Sequence, residues 1–248
     1  MNESKINKFN FEKLTNDRCR NIAIIGPTQS GKTTVIKTIL SHLSSVMRYA
    51  VVFSTDKYTG SNVYAYEKYS EDRVKAVCDD QIKIRNDKTD HEKRGISSMV
   101  AIVLDDIINN ESKLGKNDDI IERIITNGAY YNISLIISVQ NPLFVPPKMR
   151  ENLGYVIATS INTEKRIKTF YEYYIKDYKF EEFVIIYKTI MQEKYNLMII
   201  DNTIWTANIF YGKATLPKLS ECLTYCMSKK DQIEQLIDKF KKDLLELL

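Results

Sequence analysis

The chain has 248 residues, enough for one large α/β domain or one domain with a small appendage. Its 44% apolar and 27% charged residues are those of a globular protein, and no apolar run approaches the ~18–20 residues that cross a bilayer. A formal net charge of +4 is too mild to specify a nucleic-acid partner, so contact with a polyanion has to come from local clusters or from symmetry.

The opening residues Met-Asn-Glu-Ser-Lys-Ile-Asn-Lys carry no apolar segment of the secretory kind, so the chain is expected to stay in a cytosol-like space. Cys19, Cys78, Cys222 and Cys226 are scattered, as in a reducing compartment. Cys222 and Cys226 could share a helix face, but His42 and His91 lie far from them in sequence, and buried or half-exposed thiols are expected instead of a metal site.

Residues 1–20 are polar and read as an N-terminal arm or a first docking element. Strands and helices then alternate, the pattern of a mostly parallel sheet with helices on both faces. Strands are predicted at Asn21–Ile25, Tyr49–Ser54, Met99–Leu104, Ile133–Val139 and Tyr155–Ser160, mostly near-continuous apolar runs like those of buried parallel strands. Helices are predicted at Lys32–Ser45, Ser70–Cys78, Asp118–Asn127, Thr163–Lys176 and near Phe180–Lys188. Asp79–Ser98 is dense in charge and reads as an exposed loop, and Asn109–Asn117 as a flexible one. Leu197–Asp201 and Ile204–Phe210 flank Asn202-Thr203 as a hairpin or a pair of edge strands. Residues 21–213 thus form the main domain and 214–248 a C-terminal helical segment. There Ile233, Leu236, Ile237, Phe240, Leu244, Leu245 and Leu248 recur at the spacing of an amphipathic helix, suited to its own domain or to a second subunit.

The first strand runs directly into Gly26-Pro27-Thr28-Gln29-Ser30-Gly31-Lys32-Thr33-Thr34, a strand–G-x-x-x-x-G-K-[ST]–helix signature that binds a triphosphate with Mg²⁺. Gly26 is expected to turn the chain sharply off the strand, and Gly31 to let the backbone approach phosphate oxygens closely. Pro27 has no N–H, so the anion cradle must come from amides around Ser30 to Thr34 at the positive end of the next helix. Lys32 would reach the β- and γ-phosphates, and the Thr33 hydroxyl would sit on Mg²⁺.

The strand Met99–Leu104 ends in Asp105-Asp106. In an open α/β sheet ligands sit beyond the carboxyl ends of the strands, so both acids belong near the phosphate loop. Asp105 is expected to hold Mg²⁺ through water, and Asp106 to orient or deprotonate the attacking water, with Glu111 as the other candidate base. Gln140, after Ile133–Val139, could sense the γ-phosphate or hold the water. Arg150 could complete a neighbouring subunit's site, because a guanidinium suits developing phosphoryl charge; Arg94 and Arg85 are the other candidates.

The order of these parts resembles the FtsK/HerA superfamily: phosphate loop, intervening strand, Asp105-Asp106 strand, Val139-Gln140-Asn141-Pro142, then Arg150-Glu151-Asn152 before another strand. Within it, the chain is similar to the poxvirus-type genome-packaging ATPases of large DNA viruses and virophages over roughly residues 20–213. Further support is Arg166-Ile-Lys-Thr-Phe170, Tyr187-Lys-Thr-Ile190 and Tyr195-Asn-Leu-Met-Ile-Ile-Asp201-Asn202 before Trp205. The resemblance implies a P-loop ATPase using ATP and Mg²⁺, with an extra strand between the phosphate-loop strand and the Asp105 strand. It also implies a homo-oligomeric ring of about five or six subunits that threads double-stranded DNA into a preformed capsid, working in a host cytoplasm or viral factory with a capsid or portal-vertex partner and no membrane. Many relatives place Glu where this chain has Asp106, which leaves Asp106 and Glu111 both open as the base. Phosphate-directed DNA contacts would come from Lys57 and Tyr58, from Lys83–Arg94, and from Lys113 with Lys116. Another P-loop translocase or helicase, a small-molecule kinase and a nucleotide-gated assembly protein are the alternatives.

Overall fold

Apolar runs rich in β-branched residues make strands that need cover on both faces. In the computed structural model, which describes residues 6–16, 19–60, 62–86, 99–107, 119–204 and 208–215, eight strands form one sheet. The elements in chain order are α1 (Lys13–Asn16), β1 (Asn21–Ile25), α2 (Lys32–Leu43), β2 (Met47–Phe53), β3 (Val63–Tyr66), α3 (Glu71–Asn86), β4 (Met99–Asp105) and α4 (Asp119–Asn127). A 3-10 turn at Gly128–Tyr131 leads to β5 (Ile133–Val139), and a second at Pro142–Phe144 to α5 (Pro147–Glu151). Then follow β6 (Leu153–Ala158), α6 (Glu164–Tyr174), α7 (Phe180–Ile190), β7 (Asn196–Asp201) and β8 (Ile209–Lys213).

The strand order is β3-β2-β4-β5-β1-β6-β7-β8. Every pair from β3 to β6 is parallel, and β7 alone runs the other way, antiparallel to both β6 and β8. Because side chains alternate across a strand, the sheet feeds two cores. On one face Ile25, Phe53, Ile102, Leu104 and Ile137 pack with Val74 of α3, Ile121 of α4, Phe170 of α6 and Phe183 of α7. On the other, Ile24, Val52, Val103 and Ile136 pack with Val35, Ile36 and Ile39 of α2 and with Phe9 and Leu14. Helices on both faces and a mostly parallel sheet are as predicted, and β5 is the expected extra strand between β1 and β4.

Several local expectations differ. The charged stretch read as a loop from Asp79 continues α3 to Asn86, with Val77, Cys78 and Gln81 buried while Asp79 and Lys83 face solvent. Its charge density belongs to the outer face of a helix. The half-exposed β3 carries too little apolar contrast to be read as a strand. The last strand begins at Ile209 and not at Ile204, because Asp201 Oδ1 accepts from the Thr203 N–H (2.9 Å) and hydroxyl (2.6 Å), tying those residues into a turn. Residues 87–98, Asn109–Asn117, Trp205, Cys222, Cys226 and the C-terminal amphipathic helix lie outside the described residues.

The segment before β1 is docked, the second of its two expected readings. Phe9 N–H donates to the Tyr211 carbonyl (2.8 Å) and Tyr211 N–H to the Asn7 carbonyl (3.1 Å), while the Phe9 ring meets Phe11, Tyr155 and Phe210 edge-on. Lys13 Nζ pairs at 2.5 Å with Asp201, whose side chain is fully buried. Leaving that carboxylate without its cation sets the cost of losing the segment. Lys13→Met is expected to destabilise the fold by about 1.5–3 kcal/mol, the worth of a hydrogen bond to a charged group. Urea denaturation would check this, and a midpoint equal to that of the unmodified chain would contradict it.

Candidate nucleotide and metal site

The phosphate loop leaves β1 between its two neighbours. Gly26 N–H donates to the Val139 carbonyl of β5 (3.1 Å), and Thr159 N–H beyond β6 donates to the Ile25 carbonyl (2.9 Å). Within the protein itself the two glycines meet different needs. Gly26 is required for space: a Cβ there would lie 1.7 Å from Thr159 Oγ1 and 2.7 Å from Ser30 Oγ. Gly31 is required for conformation, since its φ of 92° is left-handed and no protein atom would lie within 4 Å of a Cβ. Gln29 is also left-handed, at φ 61°.

Hydroxyls hold the loop. Thr159 Oγ1 donates to Ser30 Oγ (2.7 Å), Ser30 Oγ donates to the Pro27 carbonyl (2.7 Å), and Lys32 Nζ donates to that same carbonyl (3.0 Å). Behind Thr159, the Tyr187 hydroxyl accepts from Ile161 N–H (2.6 Å) and donates to the Thr159 carbonyl (3.2 Å). Burial pushes the Tyr187 pKa up to about 12, so it keeps its proton. Helix α2 starts at Gly31 without a side-chain cap, and its first described backbone bond is Val35 N–H to the Gly31 carbonyl (3.0 Å). The amides of Lys32, Thr33 and Thr34 therefore stand at the positive end of a 12-residue helix. Thr28 and Gln29 are exposed at the loop tip.

The acids meet the loop because β5 sits between β1 and β4 in a register that levels their ends, with Ile25 opposite Val139 and Asp105 opposite Ser138. Asp105 is only 4% exposed. Its Oδ1 accepts from the Ser138 hydroxyl (2.5 Å), and its Oδ2 faces the hydroxyls of Tyr58 (2.7 Å), Thr33 (3.0 Å) and Ser54 (3.2 Å). Asp106 has φ 54° and is turned by its N–H donating to Ser138 Oγ (2.9 Å). Its carboxylate lies 3.2 Å from Lys32 Nζ, whose side chain is 4% exposed. Asp56, after β2, also accepts from the Thr33 hydroxyl (2.8 Å). Burial first, and then the Asp105 charge, raise the Tyr58 pKa, so its hydroxyl stays a donor.

Among the described residues no group of three or more His, Cys, Asp or Glu is assembled for a metal. Thr33 and Asp105 offer oxygen donors in the sparse arrangement that suits Mg²⁺, which takes one or two carboxylates and otherwise water and phosphate oxygen. The residues fit that ion.

The other candidates lie farther out. Gln140 is exposed one residue beyond β5, between the strands that carry the loop and Asp105. Arg150 is on α5, just before Leu153, which pairs with Asn21; it is thus at the end of the sheet away from Gly26, about 20 Å along a six-residue strand. Its guanidinium is 4.3 Å over the Tyr173 ring, with Nη1 buried and without a hydrogen-bond partner among the described residues. Arg85 is committed to Tyr130, lying 3.4 Å over its ring and donating to its carbonyl. Arg94, Glu111, Lys113 and Lys116 lie outside the described residues. Lys57 is exposed, whereas Tyr58, expected to face outward for DNA, turns its hydroxyl onto Asp105. The sequence reading missed Ser54, Asp56, Ser138 and Thr159, since single hydroxyls and an acid outside a motif become significant only through strand register.

Comparison with known proteins bears on the family and the fold. A sequence profile of the family described as Poxvirus A32 protein matches residues 6–214. Uncharacterized protein 015R of Frog virus 3 (isolate Goorha) is 26% identical over 212 residues, covering 79% of this chain and 62% of its own length. Uncharacterized protein L437 of Acanthamoeba polyphaga mimivirus is 23% identical over 181 residues, covering 70% and 63%. The chain therefore spans somewhat under two thirds of the length of these curated relatives. Among solved structures, the genome packaging NTPase B204 of Sulfolobus turreted icosahedral virus 2, in complex with AMP, aligns with a TM-score of 0.58 at 14% identity, over 81% of this chain and 100% of that one. The pCW3 conjugation coupling protein TcpA, with ATPγS, aligns with a TM-score of 0.57 at 16% identity, over 88% and 65%. These likenesses establish the P-loop NTPase fold.

The crowding at Gly26 is directly testable. Gly26→Ala must push Thr159 out of the hydroxyl relay, with an expected loss of about 1–3 kcal/mol, as in overpacked cores. Combining it with Thr159→Ala should recover part of that loss in thermal unfolding. Unfolding of Gly26→Ala at the temperature of the unmodified chain would refute the packing argument.

Proposed function

The chain belongs to the Poxvirus A32 protein family, and from that premise we propose that it is an ATP-hydrolysing motor that drives double-stranded DNA into a preformed viral capsid. The observation that carries the proposal is the pairing of two contacts side by side, Lys32 with Asp106 and Thr33 with Asp105. In this structure Lys32 neutralises Asp106. A triphosphate offers Lys32 a stronger set of anionic partners, and the same exchange frees Asp106 for the attacking water.

In this mechanism the amides of Lys32 to Thr34 and the Lys32 ammonium bind the phosphates, and Thr33 and Asp105 would hold Mg²⁺, which when bound would neutralise charge on the phosphoryl oxygens. Asp106 orients or deprotonates the water, and Gln140, one residue beyond β5, senses the γ-phosphate or holds that water. Arg150, distant from its own loop, acts on a neighbour's site in a ring of about five or six subunits. DNA contacts are phosphate-directed and depend little on sequence. A capsid or portal-vertex protein is the docking partner, and the host cytoplasm or viral factory is the working place. What supports the packaging role is the family together with the fold shared with a genome packaging NTPase. A translocase outside packaging is the second reading, favoured by the nearly equal likeness to a conjugation coupling protein.

Hydrolysis with and without linear duplex DNA tests the proposal. Lys32→Ala is expected to lose nucleotide binding. Asp106→Asn is expected to bind nucleotide at least as tightly, because Lys32 is no longer held, while turnover falls about 10²–10⁴-fold with the general base. Stimulation by DNA should weaken steeply from low to physiological salt. No DNA stimulation at any protein concentration would overturn it, and turnover of Asp106→Asn at the normal rate would pass the role of base from Asp106 to Glu111. Mixing Arg150→Ala with Lys32→Ala subunits should restore turnover above either alone; no recovery would remove Arg150 from the role.

A further inference from the structure

Five residues after β2 make four polar contacts at the metal side of the site. Ser54 Oγ lies 3.2 Å from Asp105 Oδ2 and accepts the Asp56 N–H at 3.0 Å. Asp56 takes the Thr33 hydroxyl at 2.8 Å, and the Tyr58 hydroxyl donates to Asp105 Oδ2 at 2.7 Å. From α2, Lys37 Nζ stands over the Tyr58 ring, 5.1 Å from its centroid. Thr55, Asp56 and Lys57, between the anchors, are exposed.

Asp105 Oδ2 is oversubscribed. One carboxylate oxygen has about two lone-pair sites, yet the hydroxyls of Thr33, Ser54 and Tyr58 all face it. A metal or its water arriving at that oxygen must displace at least one of them. The Tyr58 contact is the shortest of the three, and Lys37 Nζ stands over its ring, so it is the contact best placed to persist. The Ser54 contact is the longest, and Thr33 has a second acceptor in Asp56. On this geometry the carboxylate keeps its orientation through Tyr58 while Ser54 and Asp56 exchange partners.

We propose that Tyr58 is a positioning residue that aims Asp105 at the metal, and that it ties the exposed 55–57 loop to occupancy of the metal site. The proposal rests on the reading of Asp105 as the metal-holding acid and adds a residue and a coupling that the phosphate-loop signature does not contain. Lys57 thereby lies on a loop whose backbone responds to bound metal and nucleotide.

Tyr58→Phe tests this, because it keeps the ring and its contact with Lys37 and removes only the donor. Binding of a fluorescent ATP analogue is measured in EDTA and across a Mg²⁺ titration, and hydrogen exchange of residues 54–60 is followed with and without Mg²⁺ and nucleotide. Expected results are metal-free nucleotide affinity unchanged, a Mg²⁺ midpoint raised about tenfold by loss of a charge-assisted bond, and a reduced exchange response in 54–60. A normal Mg²⁺ midpoint and a normal exchange response would overturn the proposal. Asp105→Asn separates the two layers. If it abolishes the Mg²⁺ dependence and Tyr58→Phe does not alter it, only the role of Tyr58 falls; if Asp105→Asn leaves the dependence intact, the metal assignment and the proposal fall together.

Discussion

A lysine with 4% of its side chain exposed needs a counter-charge within reach, because an unpaired ammonium in such a place is far more costly than a paired one. In this fold Asp106 supplies it, and the remaining architecture makes that pairing both available and replaceable. The left-handed Asp106 backbone, tied by its N–H to Ser138, brings the carboxylate to Lys32 from the side. The loop amides at the start of α2 stand at the positive end of the helix, suited to an anion with more negative charge than one carboxylate.

Sheet order is the next link. Separating β1 from β4 by one strand places Ser138 between the phosphate loop and the two acids, where its hydroxyl accepts from Asp106 and donates to Asp105. The acids are thereby divided in environment: Asp105 is enclosed by hydroxyls, while Asp106 is 38% exposed and held mainly by the exchangeable lysine. Two adjacent carboxylates with different surroundings suit two different tasks, one fixed on a metal and one free to meet water. On the far side of β1, Thr159 and Tyr187 play the corresponding part for the loop, so α7 supports the site without touching it.

Much of this was legible in the sequence for physical reasons. Buried parallel strands are apolar throughout, so β1, β4 and β5 announce themselves, and a strand that ends in Asp-Asp or in Gly-x-x-x-x-Gly-Lys-Thr marks the ligand edge of the sheet. What escaped reading depends on pairing across the chain. Ser138 matters because it lies opposite Asp105, and Thr159 because it fills the space a Cβ of Gly26 would take. Tyr58 looked like a solvent-facing aromatic until the turn after β2 folded it inward. The docked N-terminal segment was ambiguous because Phe9 and Lys13 find their partners in β6, β7 and β8, more than a hundred residues later.

The claim on which the rest depends is that Lys32 gives up Asp106 when it takes a triphosphate. A crystal structure of the chain with Mg²⁺ and a non-hydrolysable ATP analogue measures this directly. The account predicts Lys32 Nζ at hydrogen-bonding distance, about 3 Å, from phosphate oxygens. It also predicts Lys32 more than about 4 Å from Asp106, with the metal flanked by Thr33 and Asp105. A nucleotide bound with Lys32 still paired to Asp106 would contradict it.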